Sequence, residues 1–253
     1  MGKIFYFTST GNSLYVGKKI KEKIDIDLVS IPKIKDEKVV VNEDMIGIIF
    51  PLHCFSIPEI VENFIKRLDI KGNPYIFAVQ VTGGGSSNNG FFTIDKILKS
   101  KGLKLNNFTE IKYISNYTRA GKNPTEERAK EAIKREEEKL NRFIEDLIDR
   151  KEENKAVNKQ ALSMFIHNMW RYKYKNKDKH FNVNSNCISC SMCKKICPVE
   201  NIELEDGKPI WKGKCIDCMA CINICPKKAI NIGTKTEKKN RYKNPYINPK
   251  ELI

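Results

Sequence analysis

Apolar residues in the first 120 positions fall into short continuous runs, and the segments between them carry helical spacing. Residues 3–8, 27–31, 45–50, 75–81 and 110–114 are dense in Ile, Val and Phe, and they predict strands. Residues 13–24, with Leu14, Val16, Gly17 and Ile20 on one side, predict a helix, as do 57–68 and 92–101. Strands that are apolar throughout and alternate with helices predict a parallel sheet covered on both faces. The fold class expected is α/β: a flavodoxin-like, doubly wound, five-stranded parallel sheet of order 2-1-3-4-5. Such a sheet holds a ligand beyond the carboxyl ends of its first and third strands.

Past residue 120 the pattern changes. Asn123-Pro124 predicts a helix start, and Ala129, Ile133, Leu140, Phe143, Ile144, Leu147 and Ile148 predict its apolar face. A second helix is expected over the basic stretch that follows, with Leu162, Phe165, Ile166, Met169 and Trp170 packed between the domains and lysines outside. Near the end, residues 201–205 alternate like a strand, Asp206-Gly207 predicts a turn and residues 209–211 a returning strand. The expected domains are 1–153, a basic helical connector 154–183, and a small α+β domain 184–253.

The 253 residues include nine cysteines, and eight of them lie between Cys187 and Cys225. They form two runs, Cys187-x2-Cys190-x2-Cys193-x3-Cys197-Pro198 and Cys215-x2-Cys218-x2-Cys221-x3-Cys225-Pro226, each pair offset by 28 residues. The same offset relates Ile188 to Ile216 and Ile202 to Ile230. This is an internal repeat of the bacterial ferredoxin pattern, in which the fourth cysteine of each run ligates the cluster of the other. Two [4Fe-4S] clusters are expected, one on Cys187, Cys190, Cys193 and Cys225, the other on Cys197, Cys215, Cys218 and Cys221. Six isoleucines, Ile188, Ile196, Ile202, Ile216, Ile224 and Ile230, are expected to keep water from them. Structural zinc favours two separated Cys-x2-Cys pairs, and disulfides suit neither this spacing nor a reducing compartment.

The net charge is +15, and residues 151–253 alone carry 21 Lys/Arg against 10 Asp/Glu. Anionic clusters offset part of that surplus. The rest suits solubility or an acidic redox partner; nucleic acid ranks last, because no binding motif accompanies the charge. No apolar run approaches the roughly 18–20 residues that span a bilayer, so no membrane is expected. The opening residues lead into a strand pattern and lack a signal-peptide cleavage site, from which a cytoplasmic protein is expected.

After the first strand comes Thr8-Ser9-Thr10-Gly11-Asn12-Ser13, directly before a helix. Unpaired amides at a helix start, with hydroxyls beside them, suit a phosphate without a lysine. It is not a nucleoside-triphosphate loop, since Gly11 and Gly17 have five residues between them and Lys18 precedes Lys19. Two more loops leave the same sheet edge, Pro51-Leu52-His53-Cys54-Phe55 and Thr82-Gly83-Gly84-Gly85, with space for a flat ring between them. No catalytic residue is assigned; His53 and Cys54 read as loop residues lining a cofactor.

Taken together, the chain resembles a family of anaerobes that fuses a flavodoxin-like domain to a two-cluster ferredoxin domain. The stretch Ile4–Leu14, Pro51 and Pro58-Glu59-Ile60-Val61, Asn116-Tyr117, both cysteine runs and Arg241-Tyr242 carry the likeness. The resemblance implies FMN bound at Thr8–Ser13, its ring near 51–55 and 82–85, and a role in electron transfer. His53 and Phe55 stand where such loops often have Tyr or Trp. Two functions stay open: an electron carrier between FMN, the clusters and a redox protein, and an FMN-dependent reductase of a small molecule near His53 and Asn116-Tyr117.

Overall fold

The structure, a computed structural model, describes residues 2–174 and 177–253, and of Tyr174 the backbone alone. The elements run β1 (Gly2–Tyr6), α1 (Asn12–Lys21), β2 (Ile26–Ser30), β3 (Val39–Val41), β4 (Met45–Pro51), α2 (Glu59–Arg67), β5 (Leu68–Ile70), β6 (Tyr75–Thr82), α3 (Asn89–Lys99), β7 (Asn107–Lys112), α4 (Glu126–Ile148), α5 (Ala161–Tyr174), β8 (Phe181–Val183), α6 (Met192–Lys195), β9 (Ile202–Glu205), β10 (Lys208–Trp211), α7 (Ala220–Ile224) and β11 (Ile230–Ile232). The described residues divide into two compact units that do not follow chain order. Residues up to Thr8, Ser13–Tyr113 and Ala132–Asn168 form one; Ser9–Asn12, Ile114–Glu131 and Met169–Ile253 form the other.

The first unit holds a five-stranded sheet of order β2-β1-β4-β6-β7, parallel throughout. Numbered within the sheet this is 2-1-3-4-5, the expected flavodoxin-like order. The central strands are buried on both faces, which is why they read as unbroken apolar runs; every residue of β6 is buried. Ile46, Ile48, Phe50 and Phe77 are wholly withdrawn from water, each worth roughly 1.5–3 kcal/mol. Gly47 lets β4 pass close to its neighbours: a Cβ there would sit 2.5 Å from Phe77 Cζ and 2.7 Å from Ile4 Cγ1. Gly47→Val is therefore expected to destabilise this unit by about 1–3 kcal/mol. A fall in the urea midpoint at constant slope checks it; an unmoved midpoint would contradict this packing.

Two short strands, β3 and β5, pair in parallel outside the main sheet and escape the pattern because each is only three residues long. Strand β7 begins three residues before its predicted start. Asn107 opens it opposite Phe77, and the Asn106 side chain accepts from Ile76 N at 2.8 Å. Polar residues that close a strand end leave no hydrophobic signal. Helix α4 starts later than predicted: Thr125, not Asn123, caps it, accepting from Arg128 N at 3.4 Å.

Helix α5 forms where the second helix is expected, but its facing is corrected. Leu162, Phe165, Ile166 and Met169 are exposed, and Trp170 is half-buried. The buried side chain is His167, whose Nδ1 lies 3.1 and 2.9 Å from the carbonyl oxygens of His53 and Cys54. A polar anchor rotates the helix away from the orientation that its apolar spacing suggests. Lys175 and Asn176 of the expected connector, and the Tyr174 side chain, lie outside the described residues.

In the second unit β9 and β10 form the expected hairpin, with Asp206 and Gly207 at φ 48° and 75° as its turn requires. Strands β8 and β11 pair antiparallel. The 28-residue repeat holds in the backbone as well as in the sequence. Ser189 and Asp217 have φ 55° and 57°, Ser191 and Met219 61° and 63°, and Glu200 and Lys228 both 50°. Each set precedes or follows an equivalent short helix, α6 or α7.

Candidate functional site

The eight clustered cysteines sort into two cavities of the second unit. Cys187, Cys190, Cys193 and Cys225 line one, walled also by Ile188, Met192, Pro226 and Ile230. Cys197, Cys215, Cys218 and Cys221 line the other, with Phe181, Ile202, Trp211 and Ile216. Each cavity thus takes three cysteines from one run and the fourth from the other. Among the described residues no three His, Cys, Asp or Glu side chains converge as they would on a single ion.

The walls suit sulfur. Backbone amides of Asn201, Asp217 and Ala229 donate to the Sγ atoms of Cys197, Cys215 and Cys225 at 3.2, 3.3 and 3.3 Å. Trp211 stacks on Phe181 with ring centroids 5.3 Å apart, and its Nε1 is buried with no partner in the protein. Burial pushes the Cys193 thiol up to about 11 and Cys215 to about 12. Cys218 and Cys221 keep some accessible surface, yet protein surrounds them so closely that burial pushes both well above the ordinary thiol value. Metal entering here must displace protons. Five of the six expected isoleucines are buried, but Ile188 is 57% exposed where its repeat partner Ile216 is 9% exposed. Cys190 is exposed too, so one wall of its cavity reaches solvent.

Beside the second cavity lies an ion pair that no sequence motif marks. Asp217 is buried, and Arg119 donates to its carboxylate from Nε at 3.0 and 3.1 Å and from Nη2 at 2.6 Å. Tyr117 Oη donates to the same carboxylate at 2.7 Å. Burial, with the carboxylate beside it, pushes the Tyr117 hydroxyl far above its usual value. Burial works against the Arg119 charge, but Asp217 outweighs it and keeps the guanidinium protonated. The one available signal was that Asp217 breaks the repeat, standing where the first run has Ser189.

The loop between β1 and α1 is closed and polar. Ser9, Thr10 and Ser13 are buried, and Asn116 Nδ2 donates to Ser9 Oγ at 2.8 Å and to Thr10 Oγ1 at 3.1 Å. Ser13 Oγ, at the start of α1, is buried without a hydrogen-bond partner in the protein. An anion accepting from it would satisfy that hydroxyl, so the loop fits a phosphate. Asn12 turns its side-chain oxygen toward the C-terminal segment instead.

The two remaining loops follow β4 and β6. In the first, Pro51, Leu52, His53 and Cys54 are half-buried and Phe55 is exposed. His53 N donates to Ser56 O at 2.8 Å, which closes a tight turn with Cys54 and Phe55 at φ 48° and 67°. In the second, Thr82 Oγ1 donates to Gly85 O at 2.6 Å, and Gly84 and Gly85 are exposed with Gly83 half-buried. Further along, Ser87 Oγ donates to Gln160 Oε1 at 2.9 Å, and Asn89 Nδ2 to Ser163 Oγ at 2.8 Å. His167, Asn223, Tyr242 and Asn244 were not foreseen as contributors. Asn223 is a polar residue within the apolar run of α7, and that irregularity was the signal.

Residues 186–230 match the family described as 4Fe-4S dicluster domain, which supports iron–sulfur binding by the cysteine-bearing segment. Among solved structures the chain is similar to a putative flavoprotein from Bacteroides uniformis ATCC 8492, at 18% identity and TM-score 0.38, covering 45% of this chain and 92% of that one. It is also similar to two-electron reduced Megasphaera elsdenii flavodoxin, at 18% identity and TM-score 0.36, covering 44% and 85%. No curated protein matches the chain. The fold class rests on the strand order of the sheet. Among the described residues no helix is long and apolar enough to cross a membrane.

Proposed function

We propose that this chain is an electron-transfer protein that holds FMN and two [4Fe-4S] clusters and exchanges electrons with an external redox protein. The observation that carries the reading is the sorting of eight cysteines into two cavities of four, each drawing its fourth sulfur from the opposite run. When bound, FMN takes up two electrons and releases them singly, and each cluster passes one. The chain's own residues hold, dry and tune these groups. Cys187, Cys190, Cys193 and Cys225 ligate one cluster; Cys197, Cys215, Cys218 and Cys221 ligate the other. The amides of Asn201, Asp217 and Ala229 that donate to cysteine sulfurs would offset the negative charge that a cluster gains on reduction.

The loop Thr8–Ser13 takes the FMN phosphate, with Ser13 Oγ donating to it. The loops 51–55 and 82–85 take the ring, Phe55 offering an aromatic face and Gly83, Gly84 and Gly85 a bare backbone. The cluster on Cys187, Cys190, Cys193 and Cys225 would meet a partner at exposed Cys190. Lys194, Lys195, Lys227 and Lys228 are exposed near its cysteines, and they suit an acidic partner. Thiols held reduced for iron suit the cytoplasm. The carrier reading is favoured over a reductase because the Tyr117 hydroxyl, a candidate proton source, is committed to Asp217.

Ser13→Ala is expected to weaken FMN binding about ten- to a hundredfold, the worth of one hydrogen bond to a charged group. Quenching of flavin fluorescence on titration checks it. Protein that carries full iron yet binds no flavin would overturn the FMN part of this reading.

A further inference from the structure

The loop assigned to the FMN phosphate is braced by residues more than 200 positions away. Tyr242 Oη donates to Asn12 Oδ1 at 2.6 Å, and Asn244 Nδ2 donates to the same oxygen at 3.0 Å. Asn244 N donates to Thr10 O at 2.8 Å. Gly11, at φ +101°, lies so close beneath this segment that a Cβ would meet Asn244 Cβ at 3.0 Å and Ile247 Cβ at 3.1 Å. The segment is itself anchored to the cysteine-bearing helix α7. Tyr242 N donates to Asn223 Oδ1 at 2.9 Å, and Asn223 lies between Cys221 and Cys225. From its other end Asn223 Nδ2 donates to Asn116 O at 2.9 Å, the residue whose amide holds Ser9 and Thr10.

We propose that Tyr242 and Asn244 are positioning residues for the phosphate loop: the C-terminal segment holds Ser9–Asn12 in its phosphate-binding shape and ties that shape to α7. The inference rests on the FMN reading and adds to it that Ser9–Asn12 are held in place by the C-terminal segment. Asn12 has no need to touch the ligand. Its side chain is the latch, and the loop's amides and hydroxyls do the binding. A loop that must order itself on binding loses affinity to that ordering, so a brace present beforehand strengthens binding without a ligand contact.

The test compares FMN with riboflavin, which has the ring but no phosphate, on the anaerobically purified full chain. In the unaltered protein FMN binds more tightly than riboflavin. Tyr242→Phe and Asn244→Ala are each expected to weaken FMN about five- to tenfold, with riboflavin affinity unchanged. Iron content read on the same samples guards against misfolding. Should Tyr242→Phe lose iron, Asn244→Ala decides: it removes the bond from Nδ2 to Asn12, together with the acceptor that Oδ1 offers Tyr246 N at 3.0 Å within the same segment. FMN affinity unmoved in both variants, or FMN and riboflavin weakened alike, overturns the brace while leaving FMN binding in place. An unaltered chain that binds neither flavin overturns the FMN reading and the brace with it.

Discussion

Replacing Cys193 and Cys225 together by alanine is expected to leave about four of about eight irons per chain. Replacing Cys221 and Cys225 together is expected to leave almost none. The contrast follows from which sulfurs share a cavity. Cys193 and Cys225 come from different runs but line the same cavity; Cys221 and Cys225 belong to one run but line different cavities. If each run held its own cluster, the two results would exchange places. Iron analysis with the EPR spectrum of the reduced protein reads the outcome directly. The surviving cluster in the first variant is the one on Cys197, Cys215, Cys218 and Cys221, enclosed by Trp211 and Ile216.

Arg119→Met is expected to destabilise the second unit by about 3–5 kcal/mol, because it strands a buried carboxylate. Asp217 has a fully buried side chain, and its remaining neighbours are weaker partners: the Tyr117 hydroxyl, and Lys177 Nζ at 3.9 Å. Replacing both members, Arg119→Met with Asp217→Asn, is expected to cost less than the single change, since no charge is then left buried and Asn tolerates the φ of 57° there. Anaerobic urea unfolding followed by iron–sulfur absorbance measures both. A single variant within about 1 kcal/mol of the unaltered protein would mean that the pair is effectively solvated.

The strands of the sheet were legible because β4 and β6 are buried on both faces, and a short, wholly apolar run fits little but a strand covered on both sides. The cysteine spacing was legible for a different reason: the ligand geometry of a cubane constrains consecutive residues, so it is written locally. What remained hidden depends on contacts distant in sequence. Nothing near Tyr242 or Asn244 marks them as partners of Asn12, and nothing near Arg119 marks Asp217. The facing of α5 was misread because spacing at i, i+3, i+4 and i+7 reports an apolar stripe, not what lies against it. One buried histidine, held by two carbonyl oxygens, decides which side faces in. Ile188 failed as a shield for a related reason, since a sequence repeat need not mean equal burial.

The central claim is that one chain carries a flavin and two iron–sulfur clusters as working redox centres. Stepwise anaerobic reduction of the purified protein, with flavin and iron quantified on the same sample, tests it most directly. The account expects uptake of about four electrons per chain, two at the flavin and one at each cluster, with visible and EPR changes from both kinds of centre. Uptake of about two electrons with no extractable flavin would contradict the amino-terminal half of the account. Zinc in place of iron, with no reducible chromophore after reconstitution, would contradict all of it.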